Sequence, residues 1–65
     1  MKMSTGLAIE FALEAIAEAS TAAVENAEAW EPRRLLLQAA NNLISAKRMI
    51  IERQIQDLEK MAVNQ

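Results

Sequence analysis

Apolar residues recur at alternating intervals of three and four along most of this chain, the period of an amphipathic helix. From Leu7 to about Ala29 nothing interrupts it. At about 100° per residue, Glu10, Glu14, Glu18, Thr21, Glu25 and Glu28 fall on one narrow line, which reads as the solvated face. Ile9, Leu13, Ile16, Ala23, Ala27 and Trp30 run along the opposite side. Beside them lies a ridge of small residues, Ala8, Ala12, Ala15, Ala19 and Ala22. Small residues on a ridge allow a neighbouring helix to approach closely. Ser4 or Thr5 is placed to cap the helix by accepting a free N–H of its first turn.

A second periodic segment follows. Leu37, Ala40, Ile44, Ile51, Ile55, Leu58 and Ala62 align on one face, and Leu36, Leu43, Ile50 and Met61 broaden it on one side. Gln38, Asn41, Asn42, Ser45, Arg48, Glu52, Gln56 and Glu59 occupy the other side. Pro32 separates the two segments. Its ring disfavours α geometry at Glu31, and proline suits the first position of a new helix, where its missing N–H removes no bond. The pattern therefore predicts a single all-α domain over residues 1–65. A first helix spans about 5–29, a tight turn lies at 30–31, and a second helix spans about 32–62.

Two helices touch along one line, and each of these carries an apolar sector wider than one partner covers. Chains this short bury a small fraction of their surface alone. The expected state is a hairpin that is stable only within a homo-oligomer, a dimeric four-helix bundle being the simplest form. Ile9, Leu13, Ile16, Leu37, Ile44, Ile51, Ile55 and Leu58 are its expected core. Lys47 falls inside the apolar sector. If the chain folds back at residues 30 and 31, Lys47 comes level with Glu14, and it is expected to lay its methylenes over the core and reach Glu14 or a neighbouring glutamate. Gln54 intrudes on the same sector level with the start of the first helix. Such residues fix register at a seam edge; the alternative is that they line a ligand pocket between the helices.

Composition agrees with long helices. Of 65 residues, 52% are hydrophobic and 25% charged, with one glycine and one proline. The first helix carries five glutamates and no basic residue; from Glu31 onward six Lys or Arg face four Asp or Glu. That asymmetry favours closing the hairpin over pairing two first helices, although each exposed ion pair contributes only ~0–1 kcal/mol. There is no cysteine, hence no disulfide and no cysteine-based zinc site, and a reducing, cytoplasmic setting is expected. Lys2 followed by apolar residues resembles a secretory leader, but Glu10, Glu14 and Glu18 interrupt the run such a leader or a membrane span requires.

Chemistry is scarce. Histidine is absent as well as cysteine, which removes the usual general base and the soft metal ligands. The Glu10, Glu14, Glu18 ladder lies on the polar line and lacks the histidines of bundle di-metal sites. No catalytic, metal or cofactor-binding set is assigned, and no enzymatic activity is expected. Arg33 and Arg34 stand in the first turn of the second helix, where the helix dipole disfavours positive charge. With Trp30 and Arg48 they form a candidate surface for an anion or a partner. The plainer reading has Glu28 and Glu31 neutralise the arginines while Trp30 plugs the end of the core.

The functional expectation is a non-enzymatic homo-oligomer working by protein contact, as an adaptor, regulator, assembly factor or inhibitor, a form common among small cytoplasmic proteins of bacteria and their phages. The alternatives are RNA or anionic nucleotide-like ligand binding by a dimeric hairpin, and a structural building block of a larger particle. Against nucleic acid stand the net charge of −2 and the absence of a basic stripe.

Overall fold

The computed structural model describes residues 2–63, which form two antiparallel helices, α1 (Thr5–Glu25) and α2 (Trp30–Val63). At its start, α1 is capped by Ser4, whose Oγ accepts the N–H of Leu7 at 3.1 Å. The hydroxyl satisfies one of the first-turn donors that the helix itself leaves free.

The turn lies earlier than the proline suggested. The N–H of Ala27 donates to the Val24 carbonyl at 3.0 Å, and that of Glu28 to the Ala23 carbonyl at 2.9 Å. These two bonds are the paired reverse contacts of a Schellman motif, with Asn26 as the cap residue. Ala27 takes the left-handed conformation at φ 53°, the place where glycine is most often found. So α1 ends at Glu25 instead of about 29, the fold-back occupies residues 26–29 instead of 30–31, and Trp30 and Glu31 already belong to α2. Pro32 sits inside the first turn of α2. Its lacking N–H has no intrahelical partner there, and the residue its ring would press against precedes the helix.

The seam between the helices has coiled-coil spacing. On α1 it is Ile9, Leu13, Ile16, Ser20 and Ala23; on α2 it is Leu36, Ala40, Leu43, Lys47 and Ile50, all buried or half-buried. Intervals of four and three on both helices give the shallow left-handed crossing of such seams. Hydrophobic doublets on α2, Leu36-Leu37, Leu43-Ile44 and Ile50-Ile51, each send their first member to α1 and leave the second exposed. The alanine ridge of α1 is not where α2 packs: Ala8, Ala15, Ala19 and Ala22 are exposed, and only Ala12 is partly covered.

Very little is enclosed. The only buried hydrophobic residues among those described are Ile9 and Ala23, at 8% and 7% relative exposure. The molecule measures 58 × 26 × 11 Å, so it is one helical layer thick. Its radius of gyration is 16.6 Å, where a compact chain of this length has about 11 Å. Its accessible surface is 5580 Å², where a compact protein of this mass exposes about 4,100 Å². The two helices are also unequal. Glu10 stands opposite Lys47, so α1 starts near the level of residue 52, and α2 runs on past it. Residues 55–63, about 14 Å of helix, have no α1 beside them.

Candidate functional site

The hairpin has two broad faces, and the side chains that broaden the seam decide their character. Leu37, Ile44, Ile51 and Leu58 follow at intervals of seven residues and so lie on one side of α2. On the same side α1 contributes Ala17 and Val24, because these residues and Leu37 border one cleft. The opposite face pairs the alanine ridge with Leu35 and Met49, both exposed.

The cleft lies at the turn end and measures about 360 Å³. Its floor is the seam, Ile16 and Leu36; its walls are Val24 from α1 and Trp30, Arg33 and Leu37 from α2. Trp30 is 66% exposed, so it borders the opening and does not plug the core. Trp30, Arg33 and Arg34 thus come together as one end of a mostly apolar trough. Arg48 does not join them. It stands 14 residues beyond Arg34 in the same helix, about 21 Å along the axis, on the side of Ile44 and Ile51.

The arginines divide by partner. Arg34 is held by Glu31 one turn earlier: Nη2 donates to Oε1 at 2.5 Å and Nε to Oε2 at 3.4 Å. Its Nη1 also reaches Gln38 Oε1, at 3.5 Å. The fork geometry of a guanidinium on a carboxylate makes this a two-pronged contact. It neutralises Arg34 locally, as the plainer reading of the sequence has it, though Glu31 does so without Glu28. The i to i+4 spacing of Arg34 and Gln38 is the sequence signal for the remaining contact. Arg33 and Arg48 have no ion-pair partner among the described residues.

At the far end of the same face a second groove is bordered by Gly6, Glu10, Lys47, Ile51 and Gln54. Lys47 donates to Glu10 at 2.5 Å across the helices, not to Glu14. The glutamate chosen is one helical turn nearer the N-terminus because the fold-back comes earlier in the chain, and moving a turn shifts every cross-helix level by twice the displacement. Lys47 is half-buried at a seam position, with its stem over apolar neighbours and its charge at the rim. Gln54 lies beside Thr5 and Gly6, level with the start of α1.

The eight expected core residues split. Ile9, Leu13 and Ile16 enter the seam within the chain, whereas Leu37, Ile44, Ile51, Ile55 and Leu58 all face outward. Among the described residues no three His, Cys, Asp or Glu side chains are grouped so as to hold a metal ion. No described helix is long and apolar enough to cross a membrane. No protein-family model matches the chain, and no curated protein or solved structure matches it either.

Proposed function

We propose that this chain is a non-enzymatic association module: a hairpin that assembles with copies of itself in the cytoplasm and acts by protein contact, as an adaptor, regulator, assembly factor or inhibitor. One observation carries the reading. Among the described residues the hairpin buries only Ile9 and Ala23, and it leaves a continuous aliphatic stripe, Leu37, Ile44, Ile51, Ile55 and Leu58, in the open. Exposed apolar stripes of this extent on a small protein mark association surfaces. The surface in excess of a compact fold, about 1,500 Å² per chain, is comparable to what one partner gives up in an obligate homodimer, whose interfaces run from about 2,000 Å² in total.

Sedimentation equilibrium combined with thermal melts followed by circular dichroism tests the reading. An associating hairpin melts at a temperature that rises with protein concentration, because folding and assembly are linked by mass action. A compact 7.2 kDa particle whose melt is independent of concentration would falsify it.

A further inference from the structure

We infer that the occupant of the open face is a second copy of this chain, docked antiparallel so that its overhanging end lies in the cleft at Trp30. This rests on the self-association proposed above and specifies its geometry. Three features of the molecule point to it.

The first is spacing. Leu37, Ile44, Ile51 and Leu58 are evenly spaced at seven residues, so the stripe is self-complementary under a two-fold axis that crosses α2 between Lys47 and Arg48. About that axis Leu37 of one copy meets Leu58 of the other, and Ile44 meets Ile51.

The second is length. The same axis sets residues 55–63 of one copy level with residues 32–40 of the other. The unaccompanied end of α2, with Ile55 and Leu58 exposed at 49% and 64%, then lies along the trough between α1 and α2 of its mate. Each end of the assembly becomes a three-helix bundle, and the middle a four-helix bundle. Pairing the hairpins with both turns at one end leaves each overhang only the other overhang for cover, without a neighbouring α1, and so leaves Ile55 and Leu58 less enclosed than in the antiparallel arrangement.

The third is charge. Glu59 of the second copy arrives within one turn of Arg33 and Arg34 at the mouth of the cleft, giving Arg33 the counter-charge it lacks within its own chain. Complementary charge of this kind sets orientation more than affinity.

The chain has no cysteine, so introduced thiols report unambiguously. Leu37→Cys and Leu58→Cys are made in separate chains, mixed and oxidised. The expected result is a covalent dimer from the mixture that neither variant yields alone. Arg33→Cys with Ala62→Cys, at the same relative level and on exposed positions, repeats the test should the aliphatic variants assemble poorly. A parent chain that sediments as an oligomer while neither pair cross-links, or while Leu37→Cys cross-links to itself, overturns the antiparallel docking and leaves self-association standing. A monomeric parent chain overturns both.

Discussion

Ala27 holds a left-handed backbone that costs an L-residue with a Cβ about 1–2 kcal/mol relative to the right-handed well. The position is exposed, so nothing in the packing recovers that cost. Ala27→Gly relieves the clash at the price of a freer unfolded chain, and the net expectation is a gain of up to ~1 kcal/mol, read as a higher urea midpoint with unchanged slope. A loss of stability would mean that the backbone at 27 is not left-handed. Lys47 presents the opposite case, a favourable contact of small net worth. Its ion pair with Glu10 is partly solvated, with side-chain exposures of 32% and 54%, which confines it to the ~0–1 kcal/mol of surface pairs. Lys47→Met keeps the stem packed in the seam and drops the charge, so the protein should be equally stable or more so. A fall well beyond ~1 kcal/mol would show that the pair is a determinant of the hairpin rather than a marker of its register.

At the scale of the element, α2 carries two apolar stripes one residue apart, and only one of them meets α1. This makes Leu43 and Ile44 a matched comparison. Leu43→Ala removes a half-buried seam side chain and should cost roughly 1–3 kcal/mol, toward the lower end of core truncations. Ile44 is 41% exposed in the lone hairpin, where alanine, the better helix former, would be neutral or slightly stabilising. The proposed assembly covers Ile44, so Ile44→Ala is expected to cost ~1–3 kcal/mol as well, and the cost should appear in the dimerisation constant measured by sedimentation. An Ile44→Ala protein at least as stable as the parent would place that stripe in water.

For the whole molecule the governing fact is a single helical layer with both faces open. Covering one face with a second copy buries Trp30 under the partner's α2 end, so emission from the only tryptophan should move to longer wavelength on dilution, in step with the fall in helicity. Emission that stays constant while the oligomer dissociates would place Trp30 outside the interface. The nucleic-acid reading makes a different demand. Arg34 is engaged by Glu31, Arg33 and Arg48 stand some 22 Å apart along α2, and acidic residues interrupt the face between the helix ends. No retardation of RNA in a native gel is expected even at low salt; a shift that disappears steeply as salt rises would establish phosphate contacts and restore that reading.

The residues themselves determined that the chain is helical, that it doubles back once, that the first helix is capped at Ser4 or Thr5 and that the glutamate ladder faces solvent. These follow from periodicity and capping, which act over three or four neighbours and are therefore local. The tertiary structure alone decided where the chain turns, which glutamate receives Lys47 and which member of each hydrophobic doublet enters the seam. Pro32 drew the expected turn to residues 30–31 because proline is the strongest local break. The actual stop is one alanine in a left-handed well, a conformation its side chain does not announce. From that stop the register follows, and with it the cross-helix level of every residue on α2. The doublets Leu36-Leu37, Leu43-Ile44 and Ile50-Ile51 offer two nearly equivalent faces, and hydrophobicity, being non-directional, does not choose between them. The angle at which the turn returns the chain makes that choice. It also opens the cleft between Val24 and Trp30, whose walls come from helices that periodicity describes only one at a time.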